Sequence, residues 1–321
     1  MDNQYIDDSL EQDIISIQLS DEYTDYFGVR IDRCLSELFS DYSRAYIQKL
    51  IDDGNITVNS KNAKSNYKLK QNDTIIINIP EPEALEINPE NIPLDIVYED
   101  NDILIVNKPK GMVVHPAPGH SSGTLVNAIM YHCKDSLSTI NGVLRPGIVH
   151  RIDMDTTGLL MVCKNDSAHR IMSEKFKVHD ITRVYTAICY NHFSDVEGTV
   201  DKPIARHKTD RKKMAVDQNN PTARRAVTHY KVIEELGNNF SLIECRLETG
   251  RTHQIRVHMA SINHPLLGDE VYGPKNKPFK TNGQVLHAGT LGFQHPITGE
   301  YMEFKSELPE YFKNILLKLK K

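Results

Sequence analysis

The sequence predicts an α+β protein of two domains. Its strand-like and helix-like segments do not alternate in the regular order of a doubly wound sheet. Its 321 residues make about two domains at roughly 150 residues each. A stretch rich in proline and acid, residues 80–95, separates a short N-terminal part from a long C-terminal one. The expected organisation is an acidic, solvated tail over 1–27, a small module over 28–79, a linker over 80–95 and a main domain over 96–321.

In the small module, Ile31, Leu35 and Leu38, then Ile47, Leu50 and Ile51, recur at helical spacing and predict two short helices. Ser43 suits the N-cap of the second helix and Gly54 its stop. ITVNS and DTIIINI read as short strands. The linker PEPEALEINPENIPLD carries four prolines and five acids, a composition that favours extended chain. VYEDNDILIVNKP reads as a strand pair turning at Asn101-Asp102, and a helix is expected from near Gly123-Thr124. A further helix runs from near Ser167 to Lys177. RVYTAICY, AVTHYKVIEEL and FSLIECRLET look like strands. RTHQIRVHMASIN reads as a helix ending before His264-Pro265. ELPEYFKNILLKLKK reads as a last helix whose basic end suits its dipole.

Composition excludes several classes. No run approaches the ~18 apolar residues of a membrane span. The acidic start MDNQYIDDSLEQD is neither a signal nor a transit peptide. Five cysteines are scattered without a CxxC pair, which argues against a disulfide framework or a thiolate zinc site. A cytoplasmic protein is expected. The net charge of -5 is uneven: residues 1–27 hold eight acids and no Lys or Arg. Lys202–Arg225 holds eight Lys or Arg against Asp210 and Asp217. That stretch suits a polyanion, or is a solvated loop.

Three polar clusters stand out. HRIDMDTTGLLMVCKN places His150, Arg151, Asp153, Asp155, Thr156 and Thr157 in a loop feeding an apolar strand. Such a loop can hold reactive groups, or can be a turn with Gly158 supplying a special dihedral. LETGRTHQIRVHM concentrates Arg251, His253, Arg256 and His258 at a helix start, where cations oppose the dipole unless an anion is close. His253 and His258 are five apart with no Glu between, so a zinc site is not expected. An arginine from this cluster beside Asp153 or Asp155 would favour an ionised carboxylate fit for nucleophilic work. NKPKGMVVHPAPGHSSGTLVNAI lacks the nucleotide-loop patterns, and no GxSxG occurs.

HRIDMDTTGLL resembles the HRLDxxTSGL signature of RluA-type pseudouridine synthases. ILIVNKPKGMVVHP, RVYTAI and LETGRTHQIRVHMASINHPLLGDEVYG resemble further blocks of that family, in order. IARHKTDRKKMAV followed by THYKV resembles the branch called RluD, which modifies large-subunit ribosomal RNA. RIDRCLSELF and SRAYIQKLIDDGNITVN resemble the RNA-binding domain named after ribosomal protein S-four. The resemblance spans about residues 28 to 318.

The resemblance implies an RNA-binding module and a catalytic domain on a mixed, largely antiparallel sheet flanked by helices and loops. It implies Asp153 as the catalytic aspartate and Tyr185 as the residue that stacks on a flipped uracil. Arg256 is the basic residue paired with the aspartate, with Arg251 as second choice. Arg151 helps displace the base. His150, Arg251, Arg211, Lys212, Lys213, Arg30, Arg44 and Lys49 are expected RNA contacts, and Asp155 is structural. Arg183, Thr157, Ile152 and the pair Asn59-Ser60 depart from the family pattern, the last at a turn usually made by Asn-Gly. No cofactor and no metal are implied, and a monomer acting on RNA without a membrane is expected. The competing class is a non-catalytic RNA-binding or ribosome-assembly factor, which has no need of Asp153 beside phosphates. A metal-dependent hydrolase ranks last.

Overall fold

The computed structural model describes residues 13–39, 44–79, 87–116, 120–134, 136–138, 146–210, 213–237, 239–275 and 278–320. The chain forms two compact units, Met1–Ala84 and Leu85–Lys321. The division falls inside the proline-rich segment.

The first unit runs β1 (Asp13–Gln18), a 3-10 turn (Asp21–Tyr26), α1 (Ile31–Leu38), α2 (Arg44–Asp52), β2 (Ile56–Val58), β3 (Lys61–Asn62) and β4 (Thr74–Ile79). The strands pair antiparallel in the order β1-β4-β2-β3. Ile31 and Leu35 of α1, Ile47, Leu50 and Ile51 of α2, and Ile56, Val58, Ile75 and Ile77 of the sheet form one core. The Ser43 cap lies outside the described residues. Residues 13–27 depart from the expected solvated tail. Ile15 and Ile17 pack on the core, Leu19 is buried, and β1 pairs with β4 from Asp13 opposite Ile79 to Gln18 opposite Thr74. The apolar alternation of IISIQL outweighs the surrounding acids. The β2–β3 turn puts Asn59 at φ 51° and Ser60 at φ 63°, the pair of positive dihedrals a type I′ turn requires. Asn59 supports it by donating to Asp73 at 2.8 Å and accepting from the Thr74 N–H at 2.9 Å.

The second unit contains β5 (Ile96–Glu99), β6 (Ile103–Lys108), α3 (Leu125–Cys133), β7 (Thr157–Cys163), α4 (Asp166–Lys177) and β8 (Thr182–Tyr190). It continues with β9 (Glu197–Asp201), β10 (Ile204–Arg206), β11 (Met214–Val216), β12 (Val227–Leu236), β13 (Phe240–Leu247) and α5 (Gln254–Ser261). β14 (Leu286–Gln294), β15 (Tyr301–Lys305) and α6 (Glu310–Leu319) complete it. One sheet runs β5-β6-β7-β14-β8-β13-β12-β9, with β15 on β14, and only β7–β14 is parallel. β10 and β11 form a separate hairpin in the basic stretch.

Both faces of this sheet are covered, so strand residues alternate between two cores. Leu104, Val106, Leu160 and Val162 pack with α3 and α5. Ile103, Ile105, Leu159, Met161 and Cys163 pack with α4 on the opposite side. Helix starts follow from local chemistry: Thr124 and Asn127 form a capping box on α3, and Asn165 accepts the Ala168 N–H at 2.9 Å. The latter half of the expected linker lies against α3. Ile87 is buried there, and the Asn127 amide donates to the Asn88 carbonyl at 2.8 Å. Among the described residues no helix is long and apolar enough to cross a membrane.

Arg30 and Arg44, expected to face RNA, are both tied to one carboxylate. Asp32 is fully buried and accepts from Arg30 at 3.0 Å, Arg44 at 2.9 Å and Gln48 at 2.6 Å. Burial alone would raise its pKa, but these donors outweigh burial and hold it at about 2. A carboxyl depressed on folding contributes stability above its unfolded pKa near 4 and loses it as pH falls through the folded value. Asp32→Asn is therefore expected to loosen α1 and α2 at pH 7 by about 1–2 kcal/mol, discounted because both arginines are half-exposed. Hydrogen exchange reads this, and the difference between variant and parent should shrink between pH 4 and pH 2.

Candidate active site

The HRIDMDTT loop is held from three sides before any reactive group is considered. β6 ends at Lys108, which is buried, and its ammonium donates to the carbonyls of Pro109, Met112 and Met154 at 2.8, 2.9 and 2.9 Å. Burial lowers its pKa, while Asp155 and Asp153 oppose the drop. Three carbonyl acceptors require the three N–H groups of the charged form. Lys108 thus clips the NKPKG loop to the segment carrying Asp153. On the strand side, Gly158 sits at φ +112°, and a Cβ there would collide with the Ala288 carbonyl where β7 meets β14. Gln284 donates to Thr156 at 3.0 Å, and Thr157 bonds His287 at 2.9 Å.

His150 serves the same purpose. Its Nε2 accepts the Met161 N–H at 2.9 Å and its ring stacks on Phe176 at 4.4 Å. Burial, then the Arg183 charge, lowers its pKa to about 3. It is a neutral scaffold group that also lines the cleft, where RNA contact was expected of it.

The loop delivers Asp153 to the start of α5. Arg256 donates from Nη1 to Asp153 at 2.9 Å, from Nε to Asp269 at 2.6 Å and from Nη2 to Asp269 at 3.0 Å. Asp269 is fully buried and also accepts the Val271 and Tyr272 N–H groups at 2.9 and 3.0 Å. Burial works against both charges. The pairing more than compensates, so the Arg256 pKa rises and the Asp269 pKa falls. The anions anticipated near this cationic helix start are these two carboxylates. Arg251, the second choice for the pairing, instead donates from Nε to the Arg225 carbonyl at 3.0 Å.

His253 caps α5 in the left-handed region at φ 57°. The Tyr272 hydroxyl accepts the Met214 N–H at 2.8 Å and shares a hydrogen bond with His253 Nδ1 at 2.9 Å. Burial lowers the His253 pKa first, ahead of the opposing Asp153 charge. His253 Nε2 lies 3.9 Å from the second Asp153 oxygen. Gln254 pins the preceding turn by accepting from Thr249 at 2.8 Å and from the Arg251 N–H at 3.0 Å.

Asp153, Tyr185, Arg151, Arg251, His253 and Arg256 line one cleft. Tyr185 projects from β8 and is 8% exposed. Burial raises its pKa, Arg183 lowers it and Asp153 raises it again. Arg151 is exposed. Asp153 retains 18% side-chain exposure, enough for a ligand to reach it. Asp155 is partly buried against Gly283; burial raises its pKa, and the Lys110 and Lys108 charges oppose the rise. Arg211 and Lys212 lie outside the described residues. Lys213 stands where the β10–β11 loop joins β11, 4.0 Å from Asp210. Lys49 is exposed on α2.

The sequence matches the RNA pseudouridylate synthase family over residues 102–261 and the S4 domain over 29–75. It is 53% identical over 292 residues to the RNA pseudouridine synthase YlyB of Bacillus subtilis, covering 91% of this chain and 94% of the relative. The chain belongs to the RNA pseudouridine synthase family. Ribosomal large subunit pseudouridine synthase D of Zymomonas mobilis is 49% identical over 88% of this synthase and 91% of its own length. The Escherichia coli K12 protein of that name is 44% identical over 88% of both chains. Among solved structures, human RNA pseudouridylate synthase domain containing 1 matches with a TM-score of 0.55 at 27% identity, over 71% of this synthase and 86% of that chain. The synthase is thus an RNA-modifying enzyme with an S4 domain, on a mixed, largely antiparallel sheet.

Sequence reasoning left Lys108, Asp269 and Tyr272 of this synthase without roles. The signal for Asp269 was present: a G-D-x-x-Y-G turn in which Asp accepts backbone N–H groups two and three residues on. Asp269→Asn is expected to lower the melting temperature more than Asp153→Asn. It leaves a buried guanidinium undercompensated, a change of roughly 3–5 kcal/mol, whereas Asp153 is reached by solvent. Equal melting shifts would contradict this division of labour.

Proposed function

We propose that this synthase converts specific uridines of large-subunit ribosomal RNA to pseudouridine, with Asp153 as the catalytic carboxylate. The substrate class is supported by the large-subunit pseudouridine synthases among the relatives and by the hairpin of the basic stretch. The observation that carries the site assignment is the 2.9 Å pair between Asp153 and Arg256 in the cleft that Tyr185 also lines.

Uridine becomes pseudouridine when the N1–C1′ bond breaks, the uracil turns, and a C5–C1′ bond forms. The proton lost from C5 is matched by one gained at N1, so the step is an isomerisation. The base must first leave its stack, at a cost of a few kcal/mol. Arg151, exposed at the cleft, fills the vacated place, and the Tyr185 ring stacks on the flipped uracil. Asp153 then promotes cleavage by attack on C1′ or by taking a proton from the ribose. Arg256 fixes one carboxylate oxygen and offsets its charge, and His253 Nε2 stands 3.9 Å from the other. We infer a cytoplasmic monomer. The five cysteines are free and buried, which supports a reducing compartment.

The purified full chain, given unmodified large-subunit rRNA and no cofactor, is expected to form pseudouridine. Asp153→Asn should form none while its RNA affinity changes less than about threefold. Turnover by that variant would remove Asp153 from the reaction. Binding without turnover by the parent would favour the assembly-factor reading. Neutralising Arg211, Lys212 and Lys213 together is expected to weaken binding and flatten the salt slope by about 2, each lost phosphate contact contributing roughly 0.7–0.9. An unchanged slope would make the hairpin solvated surface only.

A further inference from the structure

The cleft that holds Asp153 and Tyr185 continues along β8 and the turn after β13, where its lining becomes cationic. Arg183 is at the centre of this extension. It is 6% exposed, its Nη2 donates to the Glu248 carbonyl at 3.3 Å, and its buried Nε has no partner. Neither Arg183 nor Arg251 has a carboxylate within ion-pair distance among the described residues. His179, whose buried Nδ1 also lacks a partner, lines the same wall.

A buried guanidinium without an anion is costly. The contrast with Arg256, which has two carboxylates 13 and 103 positions away in sequence, shows that this fold supplies partners to buried arginines elsewhere. The backbone beside Arg183 is also built to leave room. A Cβ on Gly250 would stand 2.5 Å from Arg183 Nη1, so a glycine lets the guanidinium lie over the chain at the cleft wall. What completes the set is an anion from outside, and a planar five-donor fork matches a phosphate.

We propose that Arg183 and Arg251, with His179 beside them, form a subsite for one backbone phosphodiester of the RNA, next to the flipped uridine. This rests on the reading of the chain as an rRNA pseudouridine synthase. The subsite holds the backbone of the target nucleotide while its base swings between Tyr185 and Asp153. It also explains why two guanidiniums without carboxylates flank a reacting carboxylate: they anchor the substrate, and Arg256 alone serves Asp153.

The test uses the full chain and a stem-loop carrying a uridine that the enzyme modifies. The phosphate on the 5′ side, or on the 3′ side, of that uridine is replaced by an uncharged methylphosphonate, with matched 2′-O-methyl controls. One of the two replacements is expected to weaken binding to the parent enzyme by about tenfold to a hundredfold, the range of a charged hydrogen-bonded contact. The same replacement should change binding to Arg183→Gln by less than about twofold. Gly250→Ala, which keeps every charge but displaces the guanidinium, should lose affinity comparably on the all-phosphate RNA. Undiminished binding of both methylphosphonate RNAs by the parent, or losses that add to that of Arg183→Gln, would overturn the subsite. Should Arg183→Gln fail to fold, the parent enzyme on the two modified RNAs and Gly250→Ala still decide. Failure of the isomerase reading is distinguishable, because the parent would then form no pseudouridine in the all-phosphate stem-loop.

Discussion

One guanidinium organises this site. Arg256 spends two of its N–H directions on buried Asp269 and a third on Asp153. The planar fork is rigid, so fixing one edge on Asp269 fixes where the remaining edge points. Asp269 is fixed in turn by two backbone N–H groups of its own turn. The position of Asp153 is therefore set by this buried network together with the clipped loop that carries it. A lysine at 256 would offer a point charge and no such geometry.

The rest of the large unit makes that meeting possible. Asp153, Arg256 and Asp269 come from three separate stretches of chain. The parallel pairing of β14 with β7, and the antiparallel pairing of β14 with β8, bring the HRIDMDTT loop beside Tyr185. Gly158 permits the close approach of β7 and β14, and Lys108 clips the loop from the other side through three carbonyls. Two chemically distinct sets of arginine result. Arg256 has its anions within the protein, while Arg151, Arg183 and Arg251 face a cleft and have no carboxylate partner among the described residues.

Much of this was legible in the sequence, and the omissions share a physical cause. α1, α2, α3, α4, α5 and α6 all lie within or close to the segments read as helices, α1 and α2 from apolar spacing. The dense polar loops around Asp153 and Arg256 announced the site. The strand at its centre, β14, was not legible: His287, Gly289, Thr290 and Gly292 interrupt the apolar alternation, because its neighbours on both sides supply the packing. β1 was obscured by acids flanking a short apolar run. Arg30 and Arg44 read as free cations because their partner, Asp32, becomes decisive only once α1 and α2 pack together. Asp269 was missed for the same reason. A carboxylate committed to a distant guanidinium looks in sequence like any other turn residue.

The central claim is that the Asp153 carboxylate held by Arg256 isomerises uridines in large-subunit rRNA. The most direct measurement is site-by-site mapping of pseudouridine in that RNA from cells with the intact gene, cells lacking it, and cells carrying Asp153→Asn. The account predicts that the same sites vanish in both altered strains. Sites that persist in the Asp153→Asn strain but disappear on deletion would contradict the catalytic role of Asp153. Sites unchanged in all three would contradict the assignment of large-subunit rRNA as substrate.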